Sequence, residues 1–295
     1  MHIYLDCIPC FVRQSLDAAR HATQDHYIHE RVVREVLRLA NDLDMSQSPP
    51  KIGQRIHRLV RELTGVEDPY CKAKKQFNNA SLKLYSKMRQ FIIESDDPLA
   101  TAVRLAIAGN IIDFGVNGAL QESDLEKAIS ECLAADFIDV QLNPFQQAVN
   151  DAEEILYIAD NAGEIVFDRL LIEQLPIEKV TVAVKGSPVI NDATMEDAML
   201  SGLPRIVEVI DNGSDVPGTI LESCSGYFRD RFEKADLIIA KGQGNYETLS
   251  DIDKNIFFIL KAKCPVIARD IGCEVGQMIF QKTKAFKGEK ENARI

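Results

Sequence analysis

Four apolar runs in the second half of this 295-residue chain stop in groups of carboxylates, amides, lysine and glycine. EILYIAD ends in Asp160-Asn161, and KVTVAVKG ends in Lys185-Gly186 with Asn191-Asp192 close behind. RIVEVIDNG runs into Asp211-Asn212-Gly213-Ser214, and ADLIIAKG into Lys241-Gly242-Gln243-Gly244-Asn245. Aspartate and asparagine oxygens are hard donors that suit Mg²⁺ or Mn²⁺, ions that keep waters and share coordination with a substrate phosphate. A lysine beside backbone N–H groups laid open by glycine suits the phosphate itself. Both needs of metal-assisted phosphoryl chemistry therefore occur together.

Each piece also has a plainer account. Asn191-Asp192 precedes the helical ATMEDAML and could serve only as its cap. Asn212-Gly213 is a turn signal on its own, and Lys241 could be a surface lysine after a strand. Asp160-Asn161 is harder to dismiss, because one capping residue suffices and the small pair Ala162 and Gly163 lets a ligand approach the next helix. KGQGN lacks the third glycine of the dinucleotide fingerprint. All five histidines (2, 21, 26, 29, 57) lie in the first half, so the second half has no imidazole for a Ser-His-Asp triad or a zinc site. Neither a G-x-S-x-G elbow nor a Walker lysine motif occurs. A carboxylate-held metal, which polarises a phosphoryl oxygen and acidifies a bound water, is the economical engine.

The elements that must position these groups change type near residue 150. Residues 1–150 repeat apolar side chains every three and four positions, as in ERVVREVLRLANDL (30–43) and KIGQRIHRLVRELTG (51–65), which predicts an all-helical domain. Turn chemistry in DMSQSPP (44–50) parts two of these helices, and Gly65 sits where a C-terminal cap belongs. Ser95 or Asp96 is expected to start the helix that carries Pro98 in its first turn. Residues 151–295 alternate β-rich and helical runs, the fifth β run being NIFFILKAKCPVIARD. That alternation predicts an α/β, Rossmann-like three-layer domain with a mostly parallel sheet, carrying the metal site. Ligands of such sheets bind beyond the carboxyl ends of the strands, where the polar clusters fall.

Composition narrows the partners. With 45 acidic against 34 basic residues and a net charge of −11, the chain lacks the basic excess of a phosphate-backbone binder, so nucleic acid is not expected. No apolar stretch is long enough to span a membrane and MHIYLDCIPC lacks signal-peptide order, so a cytoplasmic protein with mostly reduced thiols is expected. Nothing in the pattern specifies an oligomer.

DNAGE (160–164), PVINDATMEDA (188–198), DNGSDVPGT (211–219) and ADLIIAKGQGNYETL (235–249) together resemble the metal-dependent damage-control phosphatases, first described as domain of unknown function 89. DPYCKAKKQFN (68–78) and AIAGNIIDFG (106–115) resemble signatures of the same family in the helical half. The resemblance implies a helical domain packed against a Rossmann-like domain, and a phosphatase acting on small metabolites such as sugar phosphates or damaged cofactor precursors with Mn²⁺, Co²⁺, Ni²⁺ or Mg²⁺. It implies that Asp160, Asn161 and Asp192 hold the metal and act in catalysis. It further implies that Lys241 holds the substrate phosphate with Asn245 and Glu247 close by, Gly163 giving the ligand room, and that Asn110 and Asp113 project toward the same cleft. Water or an aspartate could be the nucleophile.

Cys7 and Cys10 form a C-x-x-C that opens a helix, a context that lowers a thiol's pKa, and the resemblance extends to a prokaryotic-type branch marked by this pair. A redox pair, a zinc site completed by Cys71, His2 or His57, and two packed thiols all fit the residues. Two rivals to the phosphatase follow: an S-adenosylmethionine-dependent carboxyl methyltransferase using the Rossmann-like half, and a non-enzymatic metal or redox protein centred on Cys7 and Cys10. Neither accounts for all four polar run ends.

Overall fold

A computed structural model describes residues 1–111, 122–133 and 139–286. Its helices before the sheet are α1 (Cys7–Ala22), α2 (His26–Asn41), α3 (Pro49–Thr64), α4 (Cys71–Ile93), α5 (Pro98–Ile111), α6 (Glu122–Leu133) and α7 (Asp139–Asp151). Then follow β1 (Ile155–Ile158), α8 (Glu164–Ile172), β2 (Val180–Val184), α9 (Met195–Ser201) and β3 (Glu208–Asp211). The chain continues through α10 (Gly226–Lys234), β4 (Leu237–Lys241), α11 (Gly242–Leu249), β5 (Ile256–Lys261), α12 (Pro265–Ile271) and β6 (Met278–Lys282).

The strands form one sheet in the order β3-β2-β1-β4-β5-β6. Every pairing from β3 to β5 is parallel, and β6 lies antiparallel on the β5 edge. The mostly parallel α/β architecture read from the sequence is thus present. The missed strand is β6, whose MIFQK keeps only Ile279 and Phe280 buried, too short an apolar run to register by pattern. Strand order reverses between β1 and β4, and the crevice beyond that switch point is the usual ligand position in open α/β sheets.

Alternation along the strands splits the core into two layers. Ile155, Tyr157, Val182, Ile239 and Phe257 point into one cluster that also holds Val103, Ala106 and Ile107 of α5 and Phe167 and Leu170 of α8. Leu156, Ile158, Ile238 and Phe258 point into the other, with Phe228 and Phe232 of α10 and Ile267 of α12. A strand buried on both faces has to be apolar throughout, which is why these runs show no polar alternation. The change of element type near residue 151 is not a gap in the core, since α5 belongs to the layer that covers the sheet. Helices α1 to α3 enclose smaller clusters of their own around Ile52, Ile56 and Val36, and around Ala18, Val32 and Val60. No helix among the described residues is long and apolar enough to cross a membrane.

Local signals mostly act as expected. Gly65 closes α3 in the left-handed region at φ 69°. The start of α5 differs by one residue: the Ala100 N–H donates to Asp97 Oδ1 at 2.9 Å, while Ser95 Oγ pairs with Thr101 Oγ1 at 2.6 Å.

One ion-pair group ties α3 to the loop after β3. Asp215 accepts from Arg58 Nε at 2.8 Å and Arg61 Nη2 at 2.6 Å, and also from Gln54; Arg61 Nη1 donates to Pro188 O at 2.7 Å. Burial alone would raise the Asp215 pKa, but the bonds from Arg58, Gln54 and Arg61 outweigh it and hold the carboxyl well below its ordinary value. A carboxyl depressed in the folded state contributes stability above its unfolded pKa of about 4 and loses it as pH falls further. Asp215→Ala should therefore lower unfolding free energy by about 2 kcal/mol at pH 7, allowing for the exposed Arg58. In urea titrations, the gap from wild type should narrow below pH 4 or so.

Candidate active site

At the carboxyl edge of the sheet, the segments after β1 and β2 join directly. The Ala193 N–H donates to Asp160 O at 2.7 Å and the Ala162 N–H to Asn191 O at 2.9 Å, and Asn161 and Asp192 form an antiparallel bridge pair. The three expected metal ligands are thereby brought together. Asp192 is buried, while Asp160 and Asn161 are half-buried. Neither Asn191 nor Asp192 caps α9: Thr194 does so, in a capping box in which Asp197 Oδ2 accepts from the Thr194 N–H and Oγ1 at 2.8 Å each. This leaves the Asp192 side chain without a structural task at that helix.

Amides orient the first carboxylate. Asp160 Oδ2 accepts from Asn161 Nδ2 at 2.6 Å and from Asn110 Nδ2 at 3.0 Å, and both amides also donate to Glu164 Oε2, at 3.0 and 2.9 Å. Asn110, at the end of α5, uses its oxygen to accept the Lys261 N–H at 3.1 Å. It therefore reaches the cleft, as the resemblance implied, and there it contacts the Asp160 carboxylate. Asp113 lies outside the described residues.

The structure gives Lys241 a different task from the expected phosphate contact. Its ammonium is fully enclosed and donates to Glu164 Oε1 at 2.6 Å, to Ala106 O at 2.9 Å and to Asp168 Oδ1, so all three of its N–H groups are used. Tyr157 donates to the same Asp168 oxygen at 2.7 Å. Burial opposes charge on Lys241, yet Asp168 and Glu164 raise its pKa above the ordinary value. Asn245 is also committed: Nδ2 donates to Lys241 O at 2.7 Å, and Oδ1 accepts from Thr219 Oγ1 at 2.8 Å. The room expected beside Gly163 is taken, because a Cβ there would stand 2.1 Å from the Phe77 ring, and φ of 75° needs glycine in any case. Gly242 is equally constrained, its missing Cβ making way for the Asp160 carboxylate.

Glu164, the last residue of DNAGE, and Asp168 are site residues to which the sequence assigns no role. They stand at i and i+4 in the otherwise apolar EIVFDRLLI of α8, both fully buried, and that spacing of carboxylates on an apolar helix was the available signal. The site holds an excess of acid. Asp160, Glu164, Asp168 and Asp192 face two enclosed ammonium groups, Lys241 and Lys185, the second 3.5 Å from Asp192 Oδ2 and donating to Gly218 O. Burial raises Asp160 well above the usual carboxylate range, reinforced by Glu164 and Asp192; Lys263 and Lys185 offset it in part. Burial likewise lifts Asp192 to about 6 and Asp168 to about 7 against the pull of their lysines.

The donor set fits a hard divalent cation. Asp192 Oδ2 is buried without a hydrogen bond, and the carboxylates are crowded enough to resist sharing the edge as anions. No trio of His, Cys, Asp and Glu gathers for a metal among the described residues. The set that does converge has two carboxylates and the Asn161 amide. Cys7, the first residue of α1, is half-buried and Cys10 exposed, both as free thiols. Burial pushes the Cys7 thiol up, against the lowering expected at a helix N-terminus.

If Lys241 balances buried carboxylates, Lys241→Met leaves Glu164 and Asp168 uncompensated and should cost about 3–5 kcal/mol in denaturant unfolding. A lysine serving only as a phosphate contact would leave stability unchanged.

Both the sequence and the fold match known proteins. A family model described as the damage-control phosphatase ARMT1-like domain matches residues 3–279. A damage-control phosphatase of Archaeoglobus fulgidus is 38% identical over 288 residues, covering 92% of this chain and 96% of the relative. A second, of Pyrococcus horikoshii, is 37% identical over 291 residues, covering 96% and 99%. An uncharacterised protein of Methanocaldococcus jannaschii is 38% identical over 291 residues, covering 94% of each. The crystal structure of a DUF89 family protein from Pyrococcus horikoshii superposes with a TM-score of 0.87 at 34% identity, over 96% of this chain and all of that one. With both its sequence and its fold matched nearly end to end, the chain belongs to the damage-control phosphatase family.

Proposed function

We propose that this protein is a metal-dependent phosphatase acting on a small phosphorylated metabolite, a sugar phosphate or a damaged cofactor precursor, with Asp160, Asn161 and Asp192 holding the divalent cation. The observation that carries this reading is the pairing of Asn161 with Asp192 across two loops beside the strand-order switch point, where a buried Asp192 oxygen accepts no hydrogen bond and has the Lys185 ammonium 3.5 Å away. The matching names of the relatives support the reaction class.

A divalent ion bound there supplies Lewis acidity, polarising a phosphoryl oxygen and lowering the pKa of a water. The chain's own groups do the positioning. Asn110 and Asn161 fix the Asp160 carboxylate by donating to one of its oxygens. Glu164 stays turned toward Lys241 and the two amides, so it braces the site rather than entering it. Lys185 and Lys263 place positive charge near Asp160, where phosphate oxygens would gather negative charge.

The methyltransferase alternative needs an open glycine loop after β1 for its cofactor. Phe77 fills the space beside Gly163, which counts against it.

Asp160→Ala should abolish metal-dependent release of phosphate from p-nitrophenyl phosphate while the circular dichroism spectrum stays that of wild type. Chelation should silence the wild type, and adding back Mn²⁺, Co²⁺, Ni²⁺ or Mg²⁺ in turn, against a phosphometabolite panel, should restore activity and rank the metals. Undiminished turnover in the Asp160 variant or after chelation would refute the proposal.

A further inference from the structure

DPYCKAKKQFN (68–78) lies in the helical half, and besides Phe77 at Gly163 its buried polar residues meet both ligand-bearing loops. We propose that this start of α4 is a clamp that sets the separation of the Asp160-Asn161 loop from the Asp192 loop, with Lys74, Phe77 and Asn78 as positioning residues. The inference rests on the metal reading above and assigns the helical half a task within it.

Asn78, fully buried, makes the central link. Its Oδ1 accepts the Gly163 N–H at 2.6 Å, on the loop after β1, and its Nδ2 donates to Asp197 Oδ1 at 2.7 Å, in the first turn of α9. One amide thus joins the two segments that carry the ligands. Asp197 Oδ2 accepts from Thr194, two residues beyond Asp192, and lies 3.0 Å from Lys74 Nζ. Lys74 is itself buried and lies 3.4 Å from Asp68 Oδ2. Phe77 lies against Gly163, whose φ of 75° excludes any side chain between them. Residues 74, 77 and 78 share one face of α4 by their i, i+3, i+4 spacing.

A contact needed only for cohesion would be served as well by apolar residues. Burying an ion pair and an amide costs desolvation that packing alone does not require. What polar groups add is direction: they hold the loops at one spacing, and a cation with two ligands on one loop and one on the other depends on that spacing. Supporting groups of this kind typically contribute about 10- to 100-fold in metal affinity.

The test is Mn²⁺ titration calorimetry on the full-length protein after chelator treatment, for wild type, Asp160→Ala, Asn78→Ala and Lys74→Met. Thermal melts are recorded in chelator, and activity on p-nitrophenyl phosphate is followed against Mn²⁺ concentration. Asn78→Ala and Lys74→Met should bind Mn²⁺ about 10- to 100-fold more weakly. They should need correspondingly more metal for half-maximal activity, while melting as folded proteins without metal. Wild-type affinity in both, with binding lost in Asp160→Ala, overturns the clamp and leaves the metal site standing. Collapse of both variants to unfolded chains in chelator also overturns it, marking the contacts as cohesion only. Absence of Mn²⁺ binding to wild type, or unchanged binding in Asp160→Ala, instead overturns the metal reading.

Discussion

An ammonium group removed from water must find opposite charge and acceptors within its enclosure, and Lys241 draws them from two helices. Glu164 and Asp168 come from α8 and the Ala106 carbonyl from α5. Lys241 itself ends β4, next to β1 at the strand-order switch. Satisfying this one group therefore orients α5 and α8 over the crevice. Glu164, anchored from below by Lys241, offers its other oxygen to the amides of Asn110 and Asn161, which in turn hold Asp160. The candidate ligand is the upper end of a chain of hydrogen bonds that begins in the core.

The same chain of contacts explains why the helical half cannot be treated as a cap laid on a finished α/β unit. Helix α5 is apolar through the middle because it covers the sheet, and polar at Asn110 because it reaches the carboxyl edge. Helix α3 reaches the loops after β2 and β3 through Arg58 and Arg61, the β2 loop at Pro188 and the β3 loop at Asp215, and the loop after β3 also brings the Gly218 carbonyl to Lys185. Ile190, between Pro188 and Asp192, adopts φ 47°, unusual for a β-branched residue, and packs against the cluster of Val60 and Tyr70. Helical residues thus grip the loop that bears Asp192 from more than one side.

Much of this was legible in the sequence for a physical reason. A parallel sheet buried on both faces demands continuous apolar strands, so β1, β2, β4 and β5 stood out, and the carboxyl ends of such strands are where ligands bind. Asp160, Asn161 and Asp192 were expected as ligands by that rule and by family likeness together, and the fold brings their loops side by side. For Lys241, Asn245 and Gly163 the structure shows internal contacts that neither the rule nor the likeness anticipated. The rule locates residues at an edge but does not say which side chains turn inward, and Lys241 turns under the sheet toward α8. Glu164 and Asp168 were assigned no role because a buried carboxylate looks like an ordinary helix acid until its partner is seen. For β6, at the sheet's antiparallel edge, the pattern is too short to distinguish.

Local chemistry alone established the element types, the switch from helices to an α/β sheet, and the gathering of hard oxygen donors at strand ends. These follow from periodicity and residue type, which act over a few neighbouring positions. Only the folded chain decided the electrostatic roles: which lysines are enclosed, which aspartate oxygens, at Asp168 and Asp192, accept no hydrogen bond, and which glycine is faced by an aromatic ring. Those outcomes depend on charges and volumes brought together from residues tens to more than a hundred positions apart, as Asn78 meets Asp197 and Ala106 meets Lys241. Burial and charge pairing are properties of that assembly, and no local stretch of sequence carries them.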